Sequence, residues 1–239
     1  MDSKELEIMA PAGNFECLRA AIEGGADSVY FGVGRLNMRS HSAGNFHPED
    51  LCEIVDICRE NGVKTYMTLN IALYEDDLAA MRETLDAAKK AGVDAVIASD
   101  MAAIAYCRGI GMEVHASTQL NISNIEALRF YSKFADVVVL ARELTLKQVK
   151  AIHEAIVTEG IKGPSGNLVR IEMFARNYAD MALELRSALF TPTASEYLAF
   201  FQRHDRPAFF NGPLQLHHQH PVSVFFQRDH IIMVGMFGG

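Results

Sequence analysis

The chain has 239 residues, a formal net charge of -8 at neutral pH, and hydrophobic residues at 49% of its positions. That composition suits one globular domain with a sizeable core, and 239 residues fit a single α/β barrel of roughly 250. The acidic balance argues against a broad nucleic-acid-binding surface, though a local basic groove is compatible with it. The opening Met1 to Glu7 carries acidic groups and no apolar run, which excludes a secretory signal, and no apolar stretch approaches the ~20 residues a bilayer requires. The expected location is the cytoplasm, with no membrane partner.

From the start to about residue 175 one plan repeats: a short apolar run, a polar turn, a helical pattern, then glycine. The runs are Leu6 to Ala10, Ser28 to Gly32, Lys64 to Asn70, Ala95 to Ser99, Glu113 to Ser117, Asp136 to Ala141 and Val169 to Phe174. Short runs rich in Val, Ile, Phe and Tyr are what buried parallel strands require. Pro48 suits a first helical position. Leu78, Met81, Leu85 and Ala88 form one apolar stripe facing the sheet. Ser123 with Glu126, and Thr145 with Gln148, have the spacing of capping boxes. Gly25, Gly62, Gly92 and Gly111 close helices in the left-handed conformation.

Seven strands and six helices fit an open doubly wound sheet or most of a (β/α)8 barrel. Polar residues at successive strand ends favour the barrel, and the absence of a glycine-rich phosphate motif after any strand weakens a nucleotide-binding reading. The fold expected is thus a partial or distorted (β/α)8 TIM-type barrel over residues 1–175, followed by an atypical segment over 176–239. That segment shows no eighth strand, holds His204, His217, His218, His220 and His230, and reads as a hairpin over Val222 to Phe237 turning at Arg228 to His230. Cys17, Cys52, Cys58 and Cys107 all fall in helical patterns and read as buried apolar residues.

Strand parity locates the chemistry. Helix-facing positions must be apolar, so Val169, Ile171 and Met173 face outward, and Arg170, Glu172 and Phe174 inward. By the same rule His115, Ser117, Thr68 and Asn70 point into the barrel. The strand ends gather Asn14, Asn70, Asp100, Ser117, Thr118, Gln119, Arg142, Glu143 and Glu172 at the face where barrel active sites lie. Lys64 stands at the wrong end of its strand for a Schiff base. His115, Asp100 and Glu172 lack the spacing of a metal site, and His115 reads as a hydrogen-bonded interior histidine. The candidate set is Glu172, His115 and Glu143 as catalytic groups, with Asn70, Gln119 and Arg142 as substrate-binding groups. Arg142 is the expected clamp for a small carboxylate, since guanidinium pairs bidentately with carboxylates.

The stretches Met9 to Glu16, Gly25 to Gly32, Arg35-x-Asn37-x-Arg39, His115 to Gln119, Val139 to Leu144 and Val169 to Ala175 resemble ordered motifs of the collagenase-like peptidase family U32. The resemblance covers residues 6–175. It implies a barrel whose parent activity is proteolysis or prephenate-linked RNA hydroxylation, acting on a peptide or RNA. The family's hydroxylase members use an iron–sulfur cluster. This chain departs from the family after Phe174, reading Ala175 to Asp180 where the family has His-Gly-Ala-Leu-Cys and further cysteines, and no cysteine follows Cys107. A thiolate-held cluster needs about four cysteines, so the expectation is no cofactor in this chain. The tail is expected to be a divergent or frameshifted replacement that leaves a truncated barrel, covered by the tail or by a second copy in a homo-oligomer. The alternative function is a non-catalytic ligand-binding barrel module.

Overall fold

A computed structural model describes residues 7–38, 40, 45–174 and 231–234. Eight parallel strands form a closed ring in chain order. They are β1 Ile8–Ala12, β2 Ser28–Gly32, β3 Lys64–Leu69, β4 Ala95–Ala98, β5 Glu113–Ala116, β6 Val137–Val139, β7 Arg170–Phe174 and β8 Ile231–Val234. The helices described between them are α1 Phe15–Glu23, α2 Leu51–Glu60, α3 Leu78–Ala91, α4 Met101–Gly109, α5 Ile125–Tyr131 and α6 Leu146–Glu159. Residues 8–174 thus form the expected partial barrel.

The short β8 completes the ring, pairing in parallel with β7 (Ile171 opposite Ile231) and with β1 (Ile8 opposite Met233). This corrects the reading of Ile231–Val234 as one arm of a hairpin. A lone four-residue apolar run carries no flanking strand–helix signal, so its pairing is decided by the two strand edges it meets. The remainder of the 176–239 segment, with its five histidines, lies outside the described residues.

Local chemistry explains the elements. In α3, Met81, Leu85 and Ala88 are fully buried against the sheet, and Leu78 packs at the edge of the core. The helix ends at Gly92, whose φ of 88° is the left-handed conformation that suits glycine. The Thr145–Gln148 capping box is formed. The box expected at Ser123 is displaced by one residue. Asn124 is the N-cap, and its side chain accepts from the Ala127 N–H at 2.9 Å. An asparagine caps as well as a serine, and the chain uses the one nearer the helix.

Gly32 ends β2 at a crowded point. A Cβ there would sit 2.3 Å from the side-chain oxygen of Asn37. Buried Asn37 donates in turn to the Val33 and Gly34 carbonyls at 3.2 and 3.1 Å, tying down the loop after β2. Arg35 braces the same loop through an ion pair with Asp77 at 2.9 Å. Arg39 lies outside the described residues.

Candidate functional site at the barrel mouth

The inward faces of β3, β5 and β7 bring a charged column into the barrel. Deepest is Glu7, 3% exposed, which accepts from the Tyr66 hydroxyl at 2.5 Å and from Lys64 at 2.8 Å. Burial works against its charge, but Lys64 and Tyr66 outweigh that and hold its carboxyl below the usual range. Burial and the neighbouring carboxylate push the Tyr66 phenol well above its ordinary value. On the other side Arg170 pairs with Glu113.

Midway up, His115 is wholly buried and its Nδ1 lies 3.2 Å from Glu172 Oε2. Its Nε2 has no hydrogen-bond partner, and Glu113 Oε1 stands 3.4 Å away. The Tyr66 ring packs on the imidazole with centroids 4.6 Å apart. Burial alone would strip the imidazole of its proton, but the carboxylates of Glu113 and Glu172 outweigh it and raise its pKa. Burial raises Glu172 as well, against the opposing pull of His115. Burial also acts to raise Glu113, yet His115 and Arg170 dominate and bring it down to about 2. The column therefore favours a protonated imidazole, with a buried carboxyl beside it that is poised to take up a proton.

Above this column the strand ends open into a cavity of about 220 Å³. Its lining includes Asn70, Ser117, Gln119, Arg142, Glu172 and Phe174. Glu172 thus stands at the floor, on the inward parity expected of it. Asn70 accepts from the Met38 N–H at 3.1 Å, fixing the loop that edges the cavity. The Ser117 hydroxyl donates to the Gln119 amide oxygen. The Arg142 guanidinium lies 4.4 Å from the centroid of the Phe174 ring. That stacking holds an otherwise exposed cation over the opening.

The structure therefore places four of the six candidate residues, Asn70, Gln119, Arg142 and Glu172, on one cavity, with His115 directly beneath. Glu143 is exposed and is not among the lining residues. Two polar residues at strand ends have structural roles. Asn14 caps α1 by accepting from Cys17 N–H, and Asp100 caps α4 while also accepting from Leu73 N–H at 3.1 Å. Sequence reading passed over Glu7, Tyr66 and Glu113. The parity that turned Thr68 inward also turns Tyr66 inward, and the parity of His115 does the same for Glu113.

A larger cavity of about 560 Å³ opens at the opposite end of the strands, lined by Glu113, Asp136, Arg170 and the 162–168 loop. Barrel enzymes carry their chemistry at the other end, the mouth, where loops from several strands converge.

The cysteines do not fit an iron–sulfur cluster. Cys17 and Cys52 are exposed, while Cys58 and Cys107 are buried in α2 and α4 on the outer layer. The two buried thiols stand in different helices, and burial pushes both up to about 12. Among the described residues no group of three or more His, Cys, Asp or Glu side chains is placed to hold a metal ion, and no helix is long and apolar enough to cross a membrane.

Comparison with known proteins agrees with the motifs. The family model described as Peptidase family U32 matches residues 13–183. A collagenase of Porphyromonas gingivalis (strain ATCC BAA-308 / W83) is 60% identical over 77% of this chain and 44% of its own length. The tRNA hydroxylation protein P1 of Bacillus subtilis (strain 168) is 36% identical over 66% of this chain and 38% of its own. The chain spans less than half the length of these curated relatives. Among solved structures, a U32 peptidase matches with a TM-score of 0.59 at 15% identity, over 100% of this chain and 95% of its own, a likeness of fold.

Proposed function

Since this chain belongs to peptidase family U32, we propose that its barrel mouth is the substrate site of a hydrolase acting on peptides. The observation that carries the reading is the pairing at the cavity floor: a buried carboxyl, Glu172, whose pKa is raised, held 3.2 Å from a buried histidine. A carboxyl tuned upward toward the operating pH is suited to general acid–base work. It takes a proton from an attacking water and returns it to a leaving amine, while His115 carries compensating charge. Arg142, fixed over Phe174, clamps a carboxylate, and Asn70 and Gln119 supply amide groups at the rim. The cavity of about 220 Å³ is below the ~300–1,000 Å³ of drug-sized sites, so it takes one side chain or small acid at a time rather than the bulk of a macromolecule.

Peptide hydrolysis is put ahead of RNA hydroxylation because the relative named a collagenase is 60% identical, against 36% for the tRNA hydroxylation protein. An RNA substrate is the second reading, supported by that second name and consistent with work in the cytoplasm. The test is incubation of the protein with denatured collagen and, separately, with unmodified tRNA. Cleavage of collagen that is lost in Glu172→Ala is the expected result. Hydroxylated tRNA with intact collagen replaces the proposal by the second reading. Binding without turnover of either reduces the barrel to a ligand-binding module.

A further inference from the structure

The charged column does not end at Glu172. His115 stands between a carboxylate that lines the mouth cavity and one that lines the cavity at the opposite face. Glu172, lining the mouth cavity, is 3.2 Å from Nδ1, and Glu113, lining the opposite cavity, is 3.4 Å from Nε2. His115 is 0% exposed, and its Nε2 is a buried polar atom with no hydrogen-bond partner, with Glu113 Oε1 the carboxylate oxygen 3.4 Å away. Strand geometry produces the arrangement. Residues 113 and 115 are two apart on β5 and so point to the same side, one layer below the other. Glu172 comes from β7, across the intervening β6.

We propose that His115 and Glu113 form a proton relay through the barrel axis, connecting the Glu172 carboxyl at the mouth to water in the cavity on the opposite face. In the proton tautomer of the pair in which Glu172 holds the shared hydrogen and the neutral imidazole carries its own on Nε2, the Glu172 carboxyl gives its proton to Nδ1 and restores the protonated ring. The Nε2 hydrogen then leaves for the Glu113 carboxylate, and Glu113 releases it to water. One proton enters and one leaves, Glu172 ends as carboxylate, and the imidazole ends with its hydrogen on Nδ1. The same hops run backwards return the proton, so an acid–base cycle needs no separate reset of the ring.

The other charged and titratable groups around the imidazole fit this role. Arg170 pairs with Glu113 and makes protonated Glu113 short-lived, so the carrier hands its proton on. Tyr66, packed on the ring, keeps its proton and donates it to Glu7, which is occupied in addition by Lys64. These three form a separate hydrogen-bonded set, leaving Glu113 and Glu172 as the two outlets of His115. Glu113 is in this scheme a positioning and relaying residue, not one that touches substrate.

The inference rests on reading Glu172 as the proton carrier at the mouth, but its test needs no substrate. The chain is labelled with ¹⁵N-histidine, and solvent exchange of the two His115 ring hydrogens is measured by NMR. Glu113→Gln keeps an oxygen for Arg170 and removes the ability to take a proton. The expected result is that exchange at Nε2 slows at least tenfold, exchange at Nδ1 is unchanged, and Glu113→Asp restores part of the rate. An unchanged Nε2 rate in Glu113→Gln overturns the relay. Equal slowing of both hydrogens also overturns it, since a general tightening of the barrel does that. Loss of collagen cleavage in Glu172→Ala bears on the proposed function and leaves the exchange result untouched, so the two failures are separable.

Discussion

Replacing Glu172 with glutamine keeps the shape of the side chain and removes its charge and its proton. The residue is 2% exposed and its one described partner is His115 at 3.2 Å. Hydrogen bonds to charged groups contribute about 1.5–3 kcal/mol, and a glutamine facing a neutral imidazole recovers about 1 kcal/mol of that. The net cost is therefore about 1–2 kcal/mol at pH 5, where the native imidazole is charged. The sign of the pH dependence follows from the direction of the shifts. His115 and Glu172 both have folded pKa values above their unfolded ones. Each therefore contributes stability that is fully present below its unfolded value and is lost as pH rises through its folded value. Glutamine abolishes the Glu172 contribution and weakens the His115 one, because one of the two carboxylates that raise the imidazole is gone. The variant should lose less stability than the native chain as pH rises, by at most about 1.4 kcal/mol per pH unit per proton. Urea unfolding of both proteins at pH 5, 7 and 9 measures this directly. The gap should be largest at pH 5 and narrow toward pH 9. A gap that stays constant, or widens with pH, refutes the charged-column account.

Other consequences are independent of that pair. Arg142→Ala should weaken binding of a small carboxylate such as benzoate at least tenfold, about 1.4 kcal/mol, by titration calorimetry, and an unchanged affinity rejects the clamp. Tyr66→Phe removes the hydroxyl that Glu7 accepts from at 2.5 Å, and should cost about 1.5–3 kcal/mol in urea unfolding because a buried carboxylate loses a donor. Cys17 and Cys52 are exposed while the Cys58 and Cys107 thiols are buried and pushed up to about 12. A disulfide reagent at pH 8 should therefore modify the first two in the folded protein and the others only after unfolding, as mass spectrometry of the labelled peptides would show.

Much of this fold was legible in the residues because two periods coexist without conflict. Short β-branched runs such as Val137–Val139 are buried on both faces, and the Met81, Leu85, Ala88 stripe recurs at the helical period. The same logic turns Glu172 and His115 inward, since their outward neighbours Ile171 and Val114 are apolar and belong against helices. The motifs then narrowed the family. Alternation fixes which side of the sheet a residue faces; it carries no information on how high in the barrel the side chain sits or what it meets there.

That second layer was decided by tertiary structure. Asp100 and Glu172 are both carboxyl side chains placed at strand ends. One caps α4 and the other floors a cavity, because the backbone N–H groups of a helix start are within reach of the first and a buried imidazole of the second. Glu143 follows Arg142 directly, yet only the arginine reaches the opening, held there by Phe174 from a neighbouring strand. Ile231–Val234 is four apolar residues with no signal of its own, and becomes a strand between β7 and β1. Local sequence sets the period and the face of each element, through sterics and apolar burial. The height, partner and charge state of each inward group depend on residues far away in the chain, 57 positions in the case of His115 and Glu172, and so exist only once the barrel has closed.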